Sequence, residues 1–223
     1  MTPETLECIE VESAADPTHA VIWLHGLGAD GHDFAPIVPE LQPDTLPATR
    51  FLFPHAPVQA VTINQGMAMR AWYDIYTPDL VRREDEAGMR RSEAAIKALI
   101  VRENIRGIPC ENIVLAGFSQ GCALSLHTAL RLDERLAGII GLSGYLPLAE
   151  RFVHERHPAN QNTPIFMGHG TMDPVVDPQR AIASRDRLLE LGYTVDWHEY
   201  PMPHTVSIEE IADISAFLRY VLD

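Results

Sequence analysis

Hydrophobic residues along the chain fall into seven short runs that alternate with longer amphipathic stretches. The short runs predict strands at 6–11, 20–26, 50–56, 112–118, 137–144, 164–170 and 194–200. Several of these runs are apolar on both faces, which is typical of buried parallel strands. The stretches between them predict helices near 33–41, 84–104, 120–132, 178–191 and 207–222. This alternation indicates an α/β fold with a mostly parallel central sheet flanked by helices.

Local signals mark the ends of two helices and one irregular stretch. Gly192 is predicted to end the fourth helix, because glycine adopts the left-handed conformation that terminates helices. Ser207 and Glu210 have the spacing of a capping box at the start of the last helix, ahead of an apolar stripe at helical spacing. The stretch 57–83 fits neither period and is long for a connection, so it is either functional or contains an unrecognised element.

Length and charge narrow the classes of protein. A chain of 223 residues fits one α/β domain over 1–223, and the net charge of -14 disfavours nucleic acids and anionic bilayers as partners. No apolar run approaches the about 18 residues of a membrane span, and the acidic start lacks the features of a secretion signal. The spacings of Cys8, Cys110 and Cys122 fit neither a zinc site nor complete pairing. We therefore expect a cytoplasmic protein with reduced thiols and no stable membrane insertion.

Ser119 lies between Gly117 and Gly121 at a predicted junction of strand and helix. A serine nucleophile must project clear of the backbone, and a sharp strand-to-helix turn provides this while the helix directs N–H groups at the forming oxyanion. The five-residue pattern also occurs by chance, and the alternative is a tight turn in which a small residue avoids a clash. The apolar strand before it and the helix after it favour the nucleophile.

A serine nucleophile needs a histidine as base, which in this architecture follows it in the chain. His204 is the best candidate, because it follows the last predicted strand and precedes the capped last helix, where a loop can carry it over the strand ends. His198 lies within a strand, and the polar surroundings of His154 and His157 indicate a solvated surface. His169 is interpreted as a packing residue beneath the site.

The acid that orients the base is expected at Asp173, in the Asp-Pro turn that follows the strand at 164–170. Asp177 is the rival. Its alternative role is to cap the helix that begins at Pro178.

The second oxyanion donor is expected in the glycine-rich segment "WLHGLGADG" at 23–31. The backbone N–H of Leu27 would act there together with that of Gln120, the residue after the nucleophile. A nucleotide-binding turn is the alternative, but the segment lacks the spacing of either glycine-rich phosphate motif. We expect neither a metal nor a cofactor.

Five blocks of sequence resemble one known family. They are "WLHGLGADG", "RAWYDI" at 70–75, "GFSQGCALSL" at 117–126, "GHGTMDPVV" at 168–176 and "PMPH" at 201–204. In this order they resemble the small carboxylesterases and acyl-protein thioesterases, also described as lysophospholipases, of the α/β-hydrolase superfamily. The resemblance implies Ser119 as nucleophile, Asp173 as acid, His204 as base, and the amides of Leu27 and Gln120 as oxyanion donors.

The resemblance also implies how a substrate would bind. The stretch 57–83 would form a cover over an apolar acyl groove, with Trp72 and Leu80 from this stretch and Val175 from the fourth block in the substrate pocket. Tyr73 departs from the family pattern, where phenylalanine is expected, and adds a hydroxyl near the groove. A homodimer is a further implication.

The sequence therefore predicts a serine hydrolase that cleaves small-molecule or lipid esters through an acyl-enzyme intermediate. Thioesters, lysophospholipids and peptides remain open as substrates, because the shape of the pocket decides the leaving group. The alternative from another class is a catalytically weak protein that uses the groove to hold a lipid or a partner.

Overall fold

A computed structural model of the chain describes residues 6–77 and 83–223. Its strands are β1 (Cys8–Glu12), β2 (His19–Leu24), β3 (Thr49–Pro54), β4 (Val58–Val61), β5 (Met67–Arg70), β6 (Ile113–Phe118), β7 (Gly138–Leu142), β8 (Ile165–Gly170) and β9 (Val195–Tyr200). Its α-helices are α1 (Glu86–Ile105), α2 (Gln120–Ala129), α3 (Ala149–Glu155), α4 (Pro178–Glu190) and α5 (Ile208–Leu222).

Seven of the strands form one sheet in the order β1-β3-β2-β6-β7-β8-β9. Only β1 runs antiparallel to its neighbour; every other pairing is parallel. All residues of β3, β7 and β8 are buried, because separate apolar clusters cover the two faces of the sheet. The structure confirms the predicted α/β class and places all seven predicted strands within two residues of their expected ends.

The structure corrects one predicted helix and shows elements in two segments where no strand or helix was specified. The helix predicted near 33–41 is a 3-10 helix at Ala35–Leu41, where Pro39 has no N–H to donate. The irregular stretch 57–83 does contain an unrecognised element, which was one of its two alternatives: a hairpin in which β4 and β5 pair antiparallel apart from the main sheet. The polar run predicted to be surface contains the short helix α3, whose one buried residue is Phe152. In the part of the chain that is described, no helix is both long and apolar enough to cross a membrane.

The predicted helix ends are confirmed in part. Gly192 follows α4 with φ of 81°, as expected of a terminating glycine. The Ser207 hydroxyl accepts a hydrogen bond from the Glu210 N–H at 3.2 Å. The reciprocal half of the capping box is wrong, because both carboxyl oxygens of Glu210 are buried and without a partner among the described residues. The carboxyl instead packs on Gly168, where an added Cβ would lie 2.1 Å from Oε1.

This buried carboxyl is expected to make the stability of the protein fall as pH rises. Burial raises the pKa of Glu210 from 4.5 to about 8, with the nearby Asp213 charge acting in the same direction. The folded chain therefore keeps a proton that the unfolded chain loses between about pH 4.5 and pH 8. The contribution of Glu210 to the free energy of unfolding is therefore complete below about pH 4.5, and it is lost as the pH rises to about 8. At about 1.4 kcal/mol for each pH unit, the loss is on the order of 5 kcal/mol.

Urea unfolding of wild type and Glu210→Gln at about pH 5 and about pH 9 measures this loss. We expect the glutamine variant to gain stability relative to wild type at the higher pH, because its neutral side chain cannot ionise. The exposed neighbour Glu209 provides the control, and Glu209→Gln should follow wild type at both pH values. Equal pH dependence in wild type and Glu210→Gln would contradict the prediction.

Candidate active site

Three polar side chains meet where parallel strands end. Ser119 follows β6, Asp173 lies three residues after β8, and His204 lies four residues after β9. The carboxyl ends of parallel strands share one edge of a sheet, so these loops converge. The Ser119 hydroxyl and His204 Nε2 are 2.9 Å apart, and His204 Nδ1 is 2.7 Å from Asp173 Oδ2. The structure therefore joins the three residues that the sequence singled out in one hydrogen-bonded chain.

The backbone at Ser119 adopts φ of 56° and ψ of -115°, an unfavourable conformation for a residue with a side chain. The two glycines around it permit this turn. A Cβ at Gly117 would lie 2.2 Å from the Gly121 carbonyl oxygen, and one at Gly121 would lie 2.2 Å from the Leu24 carbonyl oxygen. Such distances exclude any side chain, which explains why the serine stands between glycines. The turn projects the hydroxyl from the junction of β6 and α2.

The Asp173 carboxylate is held from both sides. Its Oδ1 accepts hydrogen bonds from the Val175 N–H at 2.8 Å and the Val176 N–H at 2.9 Å, which leaves Oδ2 for His204. Beneath it, His169 is buried and donates from Nε2 to the Val176 carbonyl at 2.9 Å. Burial lowers the pKa of His169, which favours its neutral form. These contacts fix the carboxylate in the orientation that a partner histidine requires.

The rival candidates lie elsewhere. Asp177 accepts a hydrogen bond from the Gln179 N–H at 2.9 Å and caps α4, which is its predicted alternative role. His198 bonds Asp196 at 3.0 Å on β9.

Leu27 and Gln120 line the same cavity as Ser119, a space of about 260 Å³. Gln120 is the first residue of α2, so its N–H has no partner within the helix. Gly28, with φ of 78°, turns the chain immediately after Leu27. This placement is compatible with the predicted pair of oxyanion amides.

His25 was not among the predicted site residues. Its Nδ1 donates to the Gly26 carbonyl at 2.7 Å, and its Nε2 accepts from the Ala56 N–H at 3.0 Å. Burial lowers the pKa of the imidazole, and the neutral form is the one that can accept at Nε2. His25 thus ties the segment that carries Leu27 to the end of β3. Its position before the glycines of "HGLG" is the signal that could have identified it.

The side chain of Gln120 has a structural role, in addition to the role predicted for its backbone N–H as an oxyanion donor. Its carbonyl accepts from the Trp72 N–H at 2.9 Å, and its NH₂ donates to the Tyr73 carbonyl at 2.7 Å. The residue after the nucleophile therefore holds the segment that follows β5.

The predictions for the substrate pocket have three outcomes. Val175 lines the cavity and is 60% exposed. Trp72 does not line it: its indole is buried and donates to the His25 carbonyl at 2.9 Å, because the segment after β5 turns this ring into the core. Leu80 lies outside the described residues. The other residues lining the cavity are Ile63, Asn64, Tyr73, Ile75, Tyr145 and Val176.

A second groove of about 340 Å³ lies on the His204 side of the site. Phe118 contributes to it and packs on the imidazole, with ring centroids 4.7 Å apart. Its other lining residues are Asp33, Phe34, Ile37, Thr205 and Val206. The nucleophile and the base thus open onto separate spaces.

One group among the described residues could hold a metal ion, formed by Asp30, His32 and His55. Its atoms already bond within the protein: Asp30 Oδ1 accepts from His32, and His55 Nδ1 accepts from the Gly31 N–H at 3.1 Å.

A larger cavity of about 460 Å³ is lined in part by Arg180. It includes none of Ser119, Asp173 and His204.

Comparison with known proteins places the chain in a family. A family model described as phospholipase/carboxylesterase matches residues 6–222. The chain is 43% identical over 217 residues to acyl-protein thioesterase 1 of Neurospora crassa, covering 93% of this chain and 89% of the relative. Yarrowia lipolytica acyl-protein thioesterase 1 is 39% identical over 216 residues, with 95% of each chain covered.

Solved structures agree with this assignment. Arabidopsis thaliana SOBER1 superposes with a TM-score of 0.85 at 30% identity, covering 92% of this chain and 99% of that one. Zea mays acyl-protein thioesterase 2 superposes with a TM-score of 0.86 at 26% identity, covering 97% and 99%. The chain therefore belongs to the phospholipase/carboxylesterase family of α/β-hydrolases, enzymes that cleave ester bonds.

Proposed function

We propose that the protein hydrolyses carboxylic esters and thioesters through an acyl-enzyme formed on Ser119, with His204 as base and Asp173 as the residue that orients it. The observation that carries this proposal is the hydrogen-bonded chain from the Ser119 hydroxyl through the imidazole to the buried carboxylate, at 2.9 Å and 2.7 Å. A protein that only held a lipid in a groove would have no use for this alignment.

The geometry supports a defined order of proton transfers. His204 Nε2 takes the hydroxyl proton as Ser119 Oγ bonds to the carbonyl carbon, while Asp173 stabilises the imidazolium. The carbonyl oxygen, now negative, accepts from the N–H groups of Leu27 and Gln120, each contributing on the order of 3 kcal/mol to the transition state. The imidazolium then protonates the leaving oxygen or sulfur, and the acyl group stays on Ser119. Water repeats the sequence and releases the acid.

The substrate divides between the cavity at Ser119 and the groove beside His204. The leaving atom must receive its proton from His204, so the leaving group belongs in the groove on that side. The acyl group then occupies the 260 Å³ cavity that Ser119 shares with Leu27 and Gln120, which we term the acyl cavity. Ile63, Ile75 and Val175 give this cavity apolar walls suited to a carbon chain.

The names of the relatives favour a thioester or a lipid-like ester as the natural substrate. The cytoplasmic location and single catalytic domain belong to the same proposal. Three unpaired cysteines support the location, because disulfides are rare in the cytosol. The homodimer stays a prediction. Measuring the molecular mass of the protein in solution tests it.

Mass spectrometry after brief incubation with a fluorophosphonate, and with a p-nitrophenyl ester quenched in acid, tests the proposal. We expect one adduct per chain in each case, on the peptide that contains Ser119. Ser143 is a matched control, since it also follows a buried strand with a positive φ of 46°. Ser143→Ala should be labelled like wild type. Turnover of the ester without an adduct on Ser119 would contradict the mechanism.

A further inference from the structure

Two tyrosines whose hydroxyls meet lie in the wall of the acyl cavity. Tyr73 and Tyr145 both line this space and are almost fully buried, and their hydroxyl oxygens are 3.3 Å apart. The two amide side chains in the wall already bond within the protein: Asn64 donates to Met69 Sδ at 3.2 Å, and Gln120 bonds the backbone of Trp72 and Tyr73. Apart from Ser119, the tyrosine pair therefore supplies the other polar side chains of a mainly apolar wall.

The pair has hydrogen-bonding capacity to spare. Each tyrosine hydroxyl carries one O–H donor and can also accept, so the bond between Tyr73 and Tyr145 uses only one of two donors. Neither hydroxyl has a further hydrogen-bond partner among the described residues. Burial raises the pKa of both hydroxyls, so both keep their protons at neutral pH. One buried O–H is left for a water or a ligand, and a buried donor without a partner is unfavourable.

Both rings are held in place relative to the nucleophile. The Tyr73 carbonyl accepts from the side chain of Gln120, the residue after Ser119, at 2.7 Å. The Arg180 guanidinium packs over the Tyr145 ring, 3.7 Å from its centroid, in cation–π geometry. The backbone of Tyr73 and the ring of Tyr145 are therefore both held in place beside the nucleophile.

We propose that the Tyr73–Tyr145 hydroxyl pair makes the acyl cavity selective for acyl groups that carry an oxygen substituent, a hydroxyl or a carbonyl, over alkyl acyl groups of the same length. The inference rests on the proposed function. There, His204 must protonate the leaving group, so the leaving group lies beside His204 and the acyl group lies in this cavity. An oxygen on the acyl chain would accept the spare O–H. An alkyl chain would leave that donor without a partner.

Paired p-nitrophenyl esters test the selectivity. The two esters of a pair have the same acyl-chain length, and one of them carries a hydroxyl on that chain. From one pair to the next, the hydroxyl is placed on a different carbon. In wild type we expect kcat/KM to favour the hydroxylated ester by about tenfold at one position, the ratio that a single hydrogen bond supports. Either single phenylalanine variant keeps one O–H that can donate to the ligand, whereas the double variant Tyr73→Phe/Tyr145→Phe removes both donors and should bring this ratio to about one. Ratios within one variant cancel any change in the amount of active enzyme.

Tyr193→Phe is the matched control, because Tyr193 is also buried but packs on Phe152, away from the acyl cavity. It should keep the wild-type ratio. A wild-type ratio of one at every position would overturn the inference while turnover of the alkyl esters still supports the proposed function. A preference that survives in the double phenylalanine variant would also overturn it. Absence of turnover with every ester would refute the proposed function itself.

Discussion

Replacement of Ser119 by alanine is expected to lower kcat/KM for ester hydrolysis by about a million-fold, the loss seen when the nucleophile of a serine hydrolase is removed. Alanine deletes the oxygen that bonds to the acyl carbon, and His204 then has no proton to take. The remaining groups still bind the substrate and stabilise negative charge on the carbonyl oxygen. Hydrolysis should therefore stay somewhat faster than the uncatalysed reaction in water. Steady-state hydrolysis of a p-nitrophenyl ester measures the difference.

The fold should tolerate this change. Alanine keeps the Cβ of Ser119 at the same positive φ, and the Ser119 N–H still donates to the Leu142 carbonyl at 2.8 Å. Circular dichroism and Tm should therefore match wild type. Ser143→Ala, made at the neighbouring strand end, should match it in rate as well. A rate for Ser119→Ala close to that of wild type would assign the chemistry to another group.

Replacement of Asp173 by asparagine is expected to lower kcat by about 10⁴-fold. Oδ1 of Asp173 accepts two backbone N–H groups, so the asparagine carbonyl takes that place and its NH₂ faces His204. The imidazole must then accept at Nδ1 and carry its proton on Nε2. A protonated Nε2 cannot take the proton of Ser119, although the geometry of the site is unchanged.

Asp177→Asn is the matched control for this result. Asparagine caps helices about as well as aspartate, so the α4 cap survives and neither activity nor Tm should change. Measuring kcat and Tm for both variants separates chemistry from stability. Loss of rate in Asp177→Asn with a normal rate in Asp173→Asn would reverse the assignment of the acid.

Much of the fold was predictable because the buried strands have a simple pattern. Strands covered on both faces, such as β6 and β8, are mainly apolar runs, and the turns after them hold Ser119 and Asp173. The acid and the base follow the nucleophile along the chain in this architecture, which confines Asp173 and His204 to loops after the later strands. Parallel pairing then explains why residues 85 positions apart lie in contact.

The incorrect predictions concern residues whose environment depends on distant contacts. Trp72 lies in an apolar-looking segment, but whether it faces the cavity or the core depends on the His25 carbonyl, which the local sequence does not reveal. Glu210 has the spacing of a capping box, yet Gly168 on β8 leaves space that draws its carboxyl inward. The strands β4 and β5 are four residues each and include one buried residue between them, so they lack the apolar signature of the main sheet.

The acyl cavity at Ser119 and the groove beside His204, which we term the leaving-group groove, have no lining residue in common. The acyl cavity is built by the hairpin segment and the loop after β8, whereas the leaving-group groove is built by the 3-10 helix at Ala35–Leu41 and the loop around His204. Mutations in one set of segments need not disturb the other. Evolution, or an engineer, can therefore alter the acid that this protein releases and the alcohol or thiol it frees as independent traits.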